Sequence, residues 1–162
     1  MIIGLVSDIH DHLSNLDKAL KKLADTDVLL CCGDLCSPFV MHALGKGYHR
    51  PIHIVFGNND GDHFRLTQAS MLYPHMTLHG EIFLETFDGC NLAMTHFDTV
   101  ASALATSTSY DFVLYGHNHQ HEVRKLGNLT LVNPGEVYGG LSGSATCAQI
   151  ETQSKTASLI QL

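Results

Sequence analysis

IIGLVSDIH, residues Ile2 to His10, is the stretch whose reading decides the fold. Ile2 to Ser7 has the unbroken apolar character of a buried strand, and Asp8 and His10 follow it without a spacer. The pattern then recurs. A helix is expected from about Ser14 to Ala24, capped by Ser14, with Asp17 near its start and Leu16, Leu20 and Leu23 on one face. Val28 to Cys32 reads as a second buried strand and ends in Gly33-Asp34. Ser37-Pro38 opens a short helix that Gly45 can end. Ile52 to Phe56 is a third strand, followed by Gly57-Asn58-Asn59-Asp60 and a helix over Asp62 to Leu72. Strand and helix in alternation imply parallel strands joined by right-handed crossovers.

The second half reads differently. Glu81 to Phe87 and Asn91 to Thr95 are strands joined at Asp88-Gly89, a strong hairpin turn. Asp98 is expected to cap a helix reaching about Thr106, and Asp111 to Tyr115 is another strand. His121 to Leu126 and Leu129 to Asn133 flank Gly127-Asn128, and Ala145 to Glu151 pairs with Thr156 to Leu162. The expected architecture is α/β: a mixed β-sandwich of two sheets flanked by helices, in one domain over residues 1–162.

Composition sets bounds on function. The formal net charge of -7 argues against a broad basic face for nucleic acid, whose phosphates are held mainly by Lys and Arg. It does not exclude a phosphate substrate, because a bound cation reverses the local field. No apolar run reaches the ~18 residues of a membrane span, and the apolar start is too short for a signal-peptide core. The chain therefore reads as cytoplasmic. The five Cys lack C-x-x-C spacing, and Cys31 and Cys32 are expected to pack as small hydrophobes.

The 12 His are the oddity, and their positions explain it. Asp8 and His10, Asp34, Asn58, His96, and His117 with His119 each directly follow an expected strand. In α/β sheets, ligands bind at the carboxyl ends of strands. Asp8 and His10 are two residues apart, as are His117 and His119, so in extended segments each pair would point to one side. Gly33, Gly57 and Gly116 precede these residues, as tight turns at a crowded site require. One such cluster alone would read as a turn or a cap. All of them together, each at a strand end, read as a metal centre.

In this order D-x-H, G-D, G-N-x-D, T-H and G-H-x-H, with Asn133-Pro134-Gly135 near the end, the chain resembles the calcineurin-like metallophosphoesterases, in particular their small bacterial and archaeal phosphodiesterase branch. The resemblance implies two divalent metal ions. Asp8, His10, Asp34 and His119 would hold one. Asp34, Asn58, His96 and His117 would hold the other, with Asp34 bridging. Such a centre activates a bridging hydroxide and clamps the phosphate oxygens of a small phosphate ester. Imidazole, carboxylate and amide ligands without thiolate suit Mn²⁺ as the first expectation, with Fe, Co, Ni or Zn as alternatives. The resemblance extends to the retromer subunit of this fold, which gives a binding scaffold as the alternative to a phosphodiesterase. A phosphomonoesterase or nucleotide pyrophosphatase is the alternative within enzymes. A homodimer or homotetramer is the assembly it implies.

Departures from the family pattern qualify this. Many members carry His after the Gly-Asn ligand, to protonate the leaving group; here it is Asn59. An amide is no general acid, although it can donate a hydrogen bond to phosphate. Asp60 keeps its place beside Asn59, and together with His96 these are the expected catalytic positions. Phe97 stands where Gly is common, and Glu136 replaces the usual Ser after N-P-G, where an inward carboxylate would disfavour very anionic substrates. His12 and His121 are candidate substrate contacts and alternative proton donors. Gly139 to Gly143 lacks the lysine of a phosphate-binding loop and reads as a mobile loop beside the site.

Overall fold

The structure is a computed structural model describing residues 1–107 and 109–162. Its elements in chain order are β1 (Ile2–Val6), α1 (Leu13–Lys22), β2 (Val28–Cys31), α2 (Pro38–Gly47), β3 (Ile52–Ile54), α3 (His63–Ser70) and β4 (Met76–Leu78). There follow β5 (Ile82–Phe87), β6 (Cys90–Thr95), α4 (Asp98–Leu104), β7 (Phe112–Leu114), β8 (Glu122–Leu126), β9 (Leu129–Asn133), β10 (Thr146–Glu151) and β11 (Thr156–Gln161).

Two sheets form, in the orders β11-β10-β1-β2-β3-β4 and β5-β6-β7-β9-β8. Strands β1 to β4 are mutually parallel, as are β6, β7 and β9, while β10, β11, β5 and β8 add antiparallel edges. Strand periodicity explains the layers. In the first sheet Ile3, Leu5, Val28 and Leu30 face the second sheet, where Leu92, Met94, Phe112, Leu114 and Val132 meet them. The intervening Val6, Leu29 and Cys31 face the other way, onto Leu16, Leu20 and Leu23 of the α1 region and Met41 and Leu44 of α2. Ala93, Val113 and Leu131 cover the outside of the second sheet with Ala101 of α4. The expected two-sheet sandwich with helices outside is the fold observed.

Several local expectations are corrected. Strand β4 was not expected; with three residues it is too short to show a period. Helix α1 starts at Leu13 and is capped by His12, whose Nδ1 accepts from the Asn15 N–H at 3.2 Å; Ser14 lies inside the helix. Gly45 does not end α2. A Cβ there would sit 2.3 Å from the Tyr73 ring, so glycine lets α3's C-terminal segment pack. Asp98 is the first residue of α4 rather than its cap, which is Phe97. Both hairpin turns form, with Asp88, Gly89 and Gly127 at positive φ.

Candidate metal centre

The parallel strands β1, β2, β3, β6, β7 and β9 each run out into a loop that contributes to one site. Backbone bonds lace the loops together: Asp8 N–H donates to Gly33 C=O (3.1 Å), Gly116 N–H to His96 C=O (3.0 Å), and Val137 N–H to Ser7 C=O (3.0 Å). Asn133 holds the loop after β7, its side-chain N–H₂ donating to the Gly116 carbonyl at 3.0 Å and to Asn118 Oδ1 at 2.9 Å.

Paired ligands do not converge by lying in extended chain, as their spacing suggested. Asp8, His10, Asp34, His117 and His119 all have positive φ, as do Asp11 and Cys36 beside them. Left-handed backbone is uncommon outside glycine and is tolerated best by Asn, Asp and His. Its concentration here is the strain pattern of functional loops. The glycines serve differently from one another. Gly33 occupies a positive-φ turn (φ +96°), but Gly57 and Gly116 are needed for space. A Cβ on Gly57 would lie 2.2 Å from Asp34 Oδ1, and one on Gly116 would lie 1.9 Å from Ser7 Oγ.

All seven expected metal-binding side chains meet. On one side His10 Nε2 stands 3.8 Å from Asp8 Oδ1 and 3.5 Å from Asp34 Oδ2, and His119 Nε2 stands 3.6 Å from Asp8 Oδ1. On the other, Asn58 Oδ1 lies 2.9 Å from His96 Nε2 and 2.8 Å from His117 Nδ1, and His96 Nε2 lies 3.5 Å from Asp34 Oδ1. Ligand atoms at ~2.0–2.2 Å from a common ion are about 3–3.5 Å apart, and these spacings of 2.8–3.8 Å scatter around that range on either side of Asp34. Asp34 offers one oxygen to each side. Asp8, Asp34 and His96 also bring ligand atoms within 4.8 Å of one another, so Asp8 borders both.

The donor set is prepared for cations. Asp8 Oδ1 and His10 Nε2 are buried with no hydrogen-bond partner among the described residues. An unsatisfied buried carboxylate oxygen is costly, and a cation removes the cost. Burial raises the Asp8 pKa, yet His10, Ser7 and the nearby His96 and His119 outweigh it and hold the carboxyl below its ordinary range. Asp8 in turn pushes His10 upward against burial, with Asp34 and Glu136 adding to the effect. Tautomers are fixed from behind. His96 Nδ1 donates to the Cys32 carbonyl at 2.7 Å, and His119 Nδ1 to Glu136 Oε2 at 2.7 Å. His10 Nδ1 faces Cys36 Sγ at 3.4 Å, a thiol that burial pushes up to about 12 and so keeps neutral. His96 and His119 thereby present Nε2 as a free lone pair, and His10 turns its Nε2 toward Asp8 and Asp34.

The remaining expected residues occupy other places. Asn59 gives its backbone N–H and side-chain N–H₂ to Asp34, at 2.8 Å each. Asp60 is buried and accepts from the N–H groups of Asp34, Leu35, Cys36 and Gly57 at 2.7–3.0 Å, which makes it the pin between two loops. Burial pushes its carboxyl above the usual range despite those donors. His12, the α1 cap, stands edge-on to Tyr138 at 5.9 Å. His121 is exposed beside Gly135. Glu136 does point inward, but its charge is spent on His119 and on the loop over 139–143, and does not face a substrate. That loop's N–H groups serve Glu136, at 2.9 Å from Leu141. Cys36 and Tyr138 were missed. Tyr138 packs its ring 5.8 Å from that of His10, and only the 34/36 spacing, repeating that of 8/10, hinted at Cys36.

Comparison with known proteins fits this arrangement. A phosphodiesterase of Methanocaldococcus jannaschii is 31% identical over 159 residues, covering 96% of this chain and 95% of the relative. A solved archaeal phosphodiesterase superposes with a TM-score of 0.93 at 30% identity over 100% of both chains. A Vps29 variant from Entamoeba histolytica shares the fold at a TM-score of 0.71 and 15% identity, covering 100% of this chain and 99% of its own. The calcineurin-like phosphoesterase superfamily domain matches residues 1–155, and the chain belongs to that family of metal-using phosphoric ester hydrolases.

Proposed function

We propose that the protein is a phosphodiesterase whose seven side chains hold two divalent ions, Mn²⁺ by preference. The observation that carries this reading is the facing pair of partnerless buried atoms, Asp8 Oδ1 and His10 Nε2, in a cluster spaced for cations. Bound divalent ions would supply an activated water and neutralise charge on the phosphate. The chain's residues do the rest. Asp34, clamped by Asn59, shares its two oxygens between the two sides. His10, His96 and His119 are locked with Nε2 toward the centre. Phe97 packs against the rings of His96 (5.2 Å) and His117 (5.5 Å) and forms an apolar wall.

Charge supports a diester over a monoester. None of the nine Lys and Arg lies in the six site loops. Two divalent ions against Asp8, Asp34 and a hydroxide leave about one positive charge, which the Glu136 carboxylate behind His119 lowers further. That matches the single charge of a diester better than the double charge of a monoester. Neither Asp60, whose carboxylate is saturated by four N–H donors, nor Asn59, which cannot ionise, is placed to protonate a leaving group. Departure without a proton favours aryl and other good leaving groups. Five free thiols, four of them buried, support a reducing, cytoplasmic setting.

A binding scaffold of the same fold is the second reading. Its support is a set of exposed apolar side chains: Phe39, Phe64, Met71 and Leu72 are 68–78% exposed on and after α2 and α3. Hydrolysis of an aryl phosphodiester and the matching monoester, across Mn²⁺, Ni²⁺, Zn²⁺ and Mg²⁺, separates the readings. The expected result is diester hydrolysis favoured over monoester, highest with Mn²⁺. Absence of hydrolysis with every metal favours the scaffold.

A further inference from the structure

Glu136 is fully buried, and no helix or strand explains its charge. Its two oxygens have separate partners. Oε2 accepts from His119 Nδ1 at 2.7 Å. Oε1 accepts from Leu141 N–H at 2.9 Å, from Ser142 N–H, and from the Ser142 hydroxyl at 2.7 Å. Consecutive N–H groups converging on one anion form a backbone nest. Here the anion is a side chain of the same chain, so the Gly-rich loop is folded around Glu136. Positive φ at Gly139 (+74°) and Gly143 (+78°) lets it turn so tightly.

The same loop returns to the metal ligands by a second route. Tyr138 N–H donates to the Asp8 carbonyl at 3.0 Å. Asn15 Nδ2 holds the Val137 and Tyr138 carbonyls at 3.1 Å each. The Tyr138 ring meets His10, and His10 stacks on His119 with centroids 5.1 Å apart and planes 15° from parallel. Glu136, His119, His10 and Tyr138 therefore close a circuit, and loop residues form part of it.

We propose that Glu136 is a positioning residue that aims His119 Nε2 at the metal and, through its other oxygen, makes the fold of residues 138–143 depend on metal binding. The inference rests on the metal-centre reading above. A carboxylate is needed because it is acceptor-only at both ends. In Glu136→Gln one end becomes an N–H₂ and must face a donor, either His119 Nδ1 or the loop N–H groups. Losing a carboxylate behind a metal-binding His typically weakens metal binding about 10–100-fold.

The test combines Mn²⁺ titration by calorimetry with hydrogen exchange over residues 138–144, in wild type and in Glu136→Gln. In wild type, Mn²⁺ should slow exchange at Leu141 and Ser142. In Glu136→Gln, Mn²⁺ should bind about 10–100-fold more weakly, and the loop should exchange fast with or without it. Ser142→Ala is the second variant, for the case that Glu136→Gln does not fold. It keeps the bond to His119, so its loop should exchange faster and, because the coupling is reciprocal, its Mn²⁺ affinity should fall, but by less than in Glu136→Gln. Wild-type affinity in Glu136→Gln, or loop exchange in wild type indifferent to Mn²⁺, overturns this inference alone. A wild type that binds no Mn²⁺ overturns the metal-centre reading with it.

Discussion

Asn59 donates two hydrogen bonds to one carboxylate, its backbone N–H to Asp34 Oδ1 and its side-chain N–H₂ to Asp34 Oδ2, both at 2.8 Å. The residue at the position expected from the family pattern to carry a proton donor is thus bound to Asp34, the side chain proposed to be shared between two ions. Asn59→His would exchange that clamp for an ionisable ring. Turnover of aryl diesters should fall several-fold as Asp34 loosens. The ratio of alkyl to aryl diester turnover should rise, by up to the 10²–10⁴-fold that a general acid contributes. Steady-state kinetics on a series of leaving groups measures the ratio, and an unchanged ratio counts against a missing acid as the cause of leaving-group preference.

Gly57 is required for space, so its replacement should act on the metal before it acts on the fold. In Gly57→Ala the new Cβ would meet Asp34 Oδ1 at 2.2 Å, and either the loop or the carboxylate must move. Overpacking of this kind costs about 1–3 kcal/mol, which a thermal melt of metal-free protein would show. Mn²⁺ affinity should fall by more than about tenfold, in the range seen when the support behind a ligand is lost. A variant that keeps wild-type affinity would show that Asp34 is not held against this loop.

His53 and His79 form a pair away from the site. His53 Nδ1 and His79 Nε2 lie 2.8 Å apart, and both rings pack on Phe83. One nitrogen of the bond must accept, so both rings cannot be protonated together. Burial lowers both pKa values from 6.5, and the charge of His53 lowers that of His79 further. A base with a depressed folded pKa adds stability that is complete above its unfolded value and is lost as pH falls through the folded value. Urea denaturation should therefore show stability declining below about pH 6.5. His53→Phe should flatten that decline; an equally steep decline in the variant would assign it to other groups.

Much of this was legible in the sequence because strand ends announce it. Asp8, Asp34, Asn58, His96 and His117 each follow a short apolar run, and the fold brings the carboxyl ends of those strands to one place. The manner of their convergence was not legible. Spacing of two suggested extended chain, whereas Asp8, His10, His117 and His119 adopt left-handed backbone, a choice set by the contacts of six loops at once. Residues behind the ligands were harder still. Glu136 could be read as facing solvent or substrate, since only the folding of residues 139–143 around it decides its direction. Asp60 looked catalytic beside Asn59, but the N–H groups it binds belong mostly to Asp34, Leu35 and Cys36, far away in the chain.

The most direct measurement is the number of Mn²⁺ ions bound per chain, by equilibrium dialysis and elemental analysis, in wild type and Asp8→Asn. Wild type should bind two ions and hydrolyse an aryl phosphodiester. Asp8→Asn should lose at least one ion and at least about 100-fold in activity, as when a key electrostatic group is removed. Its metal-free form should be somewhat less stable than wild type at neutral pH, because His10, Ser7, His96 and His119 favour the charged form of the Asp8 carboxyl. A wild type that binds one ion or none, or an Asp8→Asn variant that binds two and hydrolyses normally, would contradict the dinuclear centre.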